Sequence, residues 1–112
     1  MAAASRAPVW SQAALADLSG IWSHYAKVAG RLTADKTVRD IGAACRTIEA
    51  RPFAGRARDD VRPALRSIAA GPLVVFYRLD RREGTDILEI LRVLDRRKDF
   101  EEMFASEGER RL

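Results

Sequence analysis

Apolar residues in the first half of the chain recur at helical spacing, and in the second half they cluster or alternate. Ala14, Leu15, Leu18, Ile21, Trp22, Tyr25 and Val28 fall three and four residues apart, on one helical face. Ser11 offers an N-cap side chain before them, and Gly30 stands where a left-handed terminal residue is wanted, so a helix is predicted over 12–29. Thr33 is the next N-cap candidate and Asp35 suits the positive end of a helix dipole. Val38, Ile41, Cys45 and Ile48 form a second stripe that stops at Arg51-Pro52. This predicts a helix over 34–50, joined to the first by three or four residues and therefore antiparallel to it.

The period then changes from helical to extended. Residues 52–60 read as a loop around Gly55, and 61–69 as a strand that opens at an edge or bulge because it contains Pro63. Gly71-Pro72 makes a turn. Leu73-Val74-Val75-Phe76-Tyr77 is the strongest strand in the chain, residues 80–84 a polar hairpin loop, and Ile87–Leu94 a second strong strand, apolar enough on both faces to be covered. Pro8-Val9-Trp10 is a short extended segment suited to a sheet edge. Phe100, Met103 and Phe104 mark a short terminal helix over 97–104. With two helices preceding hairpin-linked strands, the fold class is α+β: a helical hairpin packed on a small antiparallel sheet.

The chain has 112 residues, enough for one domain, assigned to 8–104 with flexible termini at 1–7 and 105–112. Apolar residues make up 47% and charged residues 32%, which excludes a disordered tail, and no run reaches the ~20 apolar residues of a membrane helix. The Ala-rich N-terminus lacks the apolar core of a secretory signal, so the cytoplasm is the expected compartment. Net charge is +4, and 17 of the 20 basic residues are arginine, which favours acidic partners, although genomic base composition also produces arginine bias.

Catalytic machinery is sparse. Neither a GxGxxG nor a GxxxxGK[ST] phosphate loop occurs. His24 has no Ser, Cys or Asp tied to it by a recognisable motif. Cys45, on an apolar stripe, reads as a small buried hydrophobe rather than a nucleophile, and cannot form an internal disulfide. No cofactor and no metal site is expected. Asp59-Asp60 and Glu101-Glu102 are explained by capping and solvation as well as by acid-base work. Two basic clusters remain: Arg51, Arg56, Arg58, Arg62 and Arg66, and then Arg96-Arg97-Lys98 after the last strand. They suit phosphate or an acidic protein segment, or else form solvated faces with local ion pairs. The aromatic interleaving that single-strand binding favours is thin, so direct nucleic-acid binding by the chain alone is not expected.

Three groups of residues, in order, resemble the ParE branch of the ParE/RelE toxin superfamily. They are Trp10-Ser11, Ala14, Asp17-Leu18, Ile21-Trp22 and Tyr25; then Pro52, Gly55, Arg56, Val61-Arg62-Pro63 and Leu65-Arg66-Ser67; then Val74–Arg78, Ile90, Arg92-Val93-Leu94 and Arg96–Asp99. The resemblance spans about 9–104. It implies the same helical hairpin on an antiparallel sheet, and the toxin component of a type II toxin-antitoxin pair, concerned with growth inhibition and plasmid stabilisation. Its implied target is DNA gyrase, through a non-catalytic contact with Arg92, Arg96, Arg97 and Lys98 as candidates. The implied neutralising partner is a ParD-like antitoxin in a hetero-oligomer, whose acidic and apolar segment meets Leu15, Leu18, Trp22 and Tyr25 on the first helix.

The alternative is a RelE-type, ribosome-dependent mRNA endonuclease, with Arg66 and Arg97 as phosphate contacts. RelE-like relatives use a C-terminal tyrosine, and this chain offers Phe100, Met103 and Phe104 in that region. A phenyl ring neither donates nor accepts a proton, so ribonuclease activity ranks second.

Overall fold

A computed structural model describes residues 7–98, 100, 103 and 104. Its order is β1 (Val9–Trp10), α1 (Gln12–Ala29), α2 (Arg31–Ala50), β2 (Arg56–Ala57), β3 (Arg66–Ala70), β4 (Leu73–Arg82) and β5 (Thr85–Asp95). The fold is α+β, two helices with one five-stranded sheet in the order β1-β5-β4-β3-β2. β1 runs parallel to β5, and the other neighbours are antiparallel.

α1 matches its predicted bounds because Ser11 caps it: the hydroxyl accepts from the Ala14 N–H at 3.0 Å. α2 starts three residues earlier than predicted. Gly30 alone connects the helices, at φ 93°, where side chains are rarely tolerated, and serves as N-cap of α2 through its carbonyl. Thr33 is therefore inside the helix, where its carbonyl accepts from the Thr37 hydroxyl, and Asp35 lies beyond the first turn. Asp35 instead accepts the Trp22 indole N–H at 2.9 Å, tying α2 to α1.

The strand predictions shift in three places. Residues 61–65 are turns rather than strand, which removes Pro63 from the ladder and starts β3 at Arg66. Within the predicted 52–60 loop, Arg56 and Ala57 form the edge strand β2. The 80–84 loop shrinks to Glu83-Gly84, both at positive φ, so β4 and β5 continue on either side as long strands.

Alternation along β4 divides the apolar residues between two faces. Leu73, Val75 and Tyr77 join Ala14, Ile41, Ala44, Cys45 and Ile48 of the helices and Leu88, Ile90 and Val93 of β5. Phe76 belongs to the other face, with Leu65, Leu94 and Phe104, and with Phe100 and Met103 packed against them. Phe76 and Tyr77 are both fully buried. Phe100 and Phe104 meet Phe76 edge-on, at centroid distances of 4.7 and 5.3 Å. Of the helix predicted over 97–104, Asp99, Glu101 and Glu102 lie outside the described residues, as do residues 1–6 of the tail assigned to 1–7 and all of the tail at 105–112.

Candidate functional site

A groove of about 790 Å³ lies between α1 and the end of β5. Small residues of α1, Ala16 and Gly20, leave it open on one side. Ile21, Val93, Leu94 and Met103 supply apolar surface, and Tyr25, Arg97 and Lys98 also line it. It therefore brings together one residue from the expected antitoxin set and three from the expected target set, Arg92, Arg97 and Lys98.

The four basic candidates differ in how far they are already engaged. Arg92 is half-buried and grips Asp17 of α1 with both ends of its fork, Nε to Oδ2 at 2.7 Å and Nη2 to Oδ1 at 2.8 Å. The same carboxylate accepts the Val93 N–H at 2.9 Å. Arg96 is exposed and donates to the Gly71 carbonyl at 2.9 Å. Arg97 forks onto Asp95, with both contacts at 2.9 Å, and that pairing holds the Asp95 carboxyl down at about 2. The Arg97 guanidinium is held above its ordinary value by the Asp95 hydrogen bond and charge, with a smaller contribution from nearby Tyr25. Arg97 is 87% exposed, so it can exchange Asp95 for another carboxylate at little cost. Lys98 is exposed beside it.

The helix candidates also separate. Leu15 is 51% exposed, whereas Leu18 packs against the core and Trp22 is half-buried with its N–H donated to Asp35. Tyr25 is half-buried in the groove, with His24 edge-on to it at 5.4 Å. Arg66 lies elsewhere. It lines a smaller recess, of about 250 Å³, and donates to the Gly55 carbonyl at 2.7 Å, so Arg66 and Arg97 do not share a concavity.

A family model for the ParE toxin of the type II toxin-antitoxin system parDE matches residues 9–100. The chain belongs to the ParE toxin family. Toxin ParE1 of Mycobacterium tuberculosis, in each of two strains, is 36% identical over 91 residues, which cover 81% of this chain and 90% of the relative. A solved structure described as the chromosomal ParDE TA system from P. aeruginosa superposes with a TM-score of 0.67 at 25% identity, over 81% of this chain and 96% of that one.

Two features of this ParE-family chain were not singled out as site chemistry in its sequence. Asp17 is one. Its signal is an acid three residues from Ala14, on the buried side of an otherwise apolar stripe. The Tyr77 hydroxyl is the other: it accepts the Gly55 N–H at 2.9 Å and donates to the Pro52 carbonyl at 2.7 Å, so the one phenol on the sheet is spent on holding a loop. Burial pushes that phenol above its ordinary value, against the opposing Gly55 bond.

Three of the five arginines in 51–66 are also engaged internally. Arg58 pairs with Asp60 and lies over the Phe76 and Phe100 rings, Arg62 donates to the Phe104 carbonyl and lies over its ring, and Arg66 braces the 53–55 loop. Among the described residues, no group of His, Cys, Asp and Glu is placed to hold a metal ion.

Cys45 is buried on α2, and desolvation, helped by Glu49, pushes its thiol up to about 11. The thiol is therefore protonated at neutral pH and shielded as well. Because the folded value lies above the ordinary 9.0, this group's share of stability is complete below about pH 9 and declines as pH rises towards 11. A thiol reagent at pH 8 should modify the native protein far more slowly than the guanidinium-unfolded chain, and Cys45→Ala should flatten the decline in denaturation midpoint above pH 9. Equal labelling rates in the two states would contradict the assigned environment.

Proposed function

We propose that this ParE-family chain is a cytoplasmic toxin that inhibits DNA gyrase through a non-catalytic protein contact, and that a ParD-like antitoxin neutralises it. The observation that carries the reading is the groove: apolar surface beside an exposed, exchangeable cationic rim at Arg97 and Lys98, with Arg96 exposed nearby. Such a surface suits an acidic, amphipathic protein segment, because the apolar part supplies affinity and the charges supply register and encounter rate. Arg92 serves this surface from within, since its fork on Asp17 aligns α1 with β5.

The antitoxin's acidic and apolar segment occupies the same region, with Tyr25 in the groove and Leu15 as an exposed apolar position of α1. Leu18 and Trp22 support that face from behind. No helix among the described residues is long and apolar enough to cross a membrane.

RelE-type cleavage is the weaker reading. Its two phosphate candidates, Arg66 and Arg97, line different concavities, and the Tyr77 hydroxyl is committed to Pro52 and Gly55.

Gyrase supercoiling and ribosome-dependent mRNA cleavage are to be assayed side by side with purified toxin, with and without its antitoxin. Inhibition of supercoiling that Arg97→Glu/Lys98→Glu weakens at least about tenfold, and that antitoxin abolishes, is the expected result. Each reversed charge is worth roughly 1 kcal/mol or more at such a surface. Growth arrest with supercoiling intact would defeat the gyrase reading, and codon-positioned mRNA cuts would replace it.

A further inference from the structure

Outside the groove, one large aromatic side chain stands in the open. Phe53 is 70% exposed, yet its loop is rigidly held: the Tyr77 hydroxyl clasps Pro52 and Gly55 on either side of it, and the Arg66 guanidinium lies 4.8 Å from the ring centroid. Arg66 also donates to the Gly55 carbonyl, so the cation beneath the ring is itself fixed. An exposed ring on a hydrogen-bonded loop, with a guanidinium against one face, offers a surface on which a base can stack.

The ring lines the recess of about 250 Å³, together with Leu65, Leu79 and Asp59. That carboxylate is aimed by one bond, Ala64 N–H to Oδ1 at 3.0 Å, which leaves Oδ2 as an acceptor. Ala64 also lines the recess and sits at φ 65°, in the left-handed region that costs a residue with a Cβ, so the wall is held in a strained form.

A planar ring face, apolar lining and a carboxylate acceptor in one recess match what an unpaired nucleobase needs. We propose that this recess is a nucleobase site, taking an unpaired, amino-bearing base against Phe53. The exocyclic amino group of the base donates to Asp59. Thymine and uracil carry a carbonyl at that position, so the Asp59 carboxylate repels them. A paired base in a duplex cannot present its face to Phe53. The site does not use Arg97 or the groove, and it stands whichever target the toxin takes. Thin aromatic interleaving in the sequence argues against single-strand binding; the fold answers it by placing one aromatic on an arginine.

Fluorescence anisotropy of the full-length protein with labelled oligodeoxycytidylate and oligothymidylate, each of roughly 12 nucleotides, tests this directly. The cytidylate strand should bind more tightly. Phe53→Leu should weaken it about tenfold or more, the scale of one lost base stack, and Phe53→Tyr should keep it. Asp59→Asn, which retains an acceptor for Ala64, should shrink the cytidylate preference. Both Phe53 variants are at an exposed position, so matching thermal midpoints are expected and exclude misfolding as the cause. Competition by free cytidine monophosphate would assign the site to a nucleotide, and binding of the strand without such competition would assign it to a single strand. Equal binding of a duplex of the same length, an unaffected Phe53→Leu, or no binding at low salt would overturn the proposal. So would displacement of the strand by an acidic peptide that itself depends on Phe53, which would make the surface a protein contact.

Discussion

Gly55→Ala should be among the most destabilising single substitutions in this protein, although it adds one methyl group to a residue in a loop. A Cβ at that position would collide with the Tyr77 hydroxyl and would lie 2.7 Å from Tyr77 Cε1 and 2.8 Å from the Ser67 carbonyl. None of these can withdraw cheaply: Tyr77 is fully buried, and Ser67 belongs to β3, paired on both sides. Forced overpacking of this kind costs roughly 1–3 kcal/mol, and here it also breaks the hydrogen bond from Gly55 to the phenol.

Tyr77→Phe removes the same hydroxyl from the other side. The Gly55 N–H and the Pro52 carbonyl each lose a partner, and an unsatisfied buried group costs about 1–3 kcal/mol. At ~4–8 °C per kcal/mol for a domain of this size, either change should lower the thermal midpoint by about 10 °C or more. The double variant should be more stable than the sum of the two losses allows, because removing the hydroxyl removes one of the three collisions. Strict additivity in a thermal or guanidinium titration would show that the glycine is needed for some other reason. Phe53 gives a second readout, since its loop hangs on these bonds: its exposure to limited chymotrypsin digestion should rise in both variants.

That loop also marks where the sequence stops being informative. Helices show themselves through the spacing of Ala14, Leu18 and Ile21 and of Ile41, Cys45 and Ile48, because burial of one face imposes a period. The strand at 73–77 shows itself through β-branched and aromatic residues. Its division into two faces, with Phe76 turned one way and Tyr77 the other, follows from the pleat alone. What periodicity does not carry is contact between residues far apart in sequence. β2 is two residues long and exists because Arg56 and Ala57 find β3, and α2 begins at Arg31 because a single glycine suffices to reverse the chain.

The site was legible to a similar degree. Arg97 and Lys98 stand where the basic cluster after the last strand implied. Composition gives no means of telling these exposed cations from Arg58, Arg62 and Arg66, which the fold uses on aromatic rings and carbonyls. Arg92 is the sharpest case, an arginine on a strand whose partner is 75 residues earlier in the chain.

Removing Asp17 should therefore damage the protein more than removing any of the exposed acids. Its carboxylate and the Arg92 guanidinium are 13% and 15% exposed, and a forked contact of that burial leaves a stranded charge when either side is cut. The expected loss for Asp17→Ala is roughly 3–5 kcal/mol, against well under about 1 kcal/mol for an exposed pair such as Lys36 and Asp40. The bridge does more than join two charges. The ladder between β4 and β5 slips at Leu91, since Phe76 faces Arg92 while Tyr77 faces Ile90. The polar groups around that slip are taken up by the start of α1: Leu91 O by the Ser11 hydroxyl at 2.8 Å, and Val93 N–H by Asp17. Asp17→Asn keeps an acceptor for Val93 and should lose less than Asp17→Ala. Arg92→Met should lose less in an Asp17→Leu background than alone, because an apolar pair replaces a buried ion pair far more cheaply than one member can be deleted. The same series separates support from contact in the toxin. If Arg92 acts by holding α1 on β5, the loss of the proposed gyrase inhibition across these variants should track their thermal midpoints, and the Asp17→Leu/Arg92→Met protein should regain part of both. Arg97→Glu should lose inhibition at an unchanged midpoint. A stable Arg92→Met protein that no longer inhibits would move Arg92 from the scaffold to the contact surface.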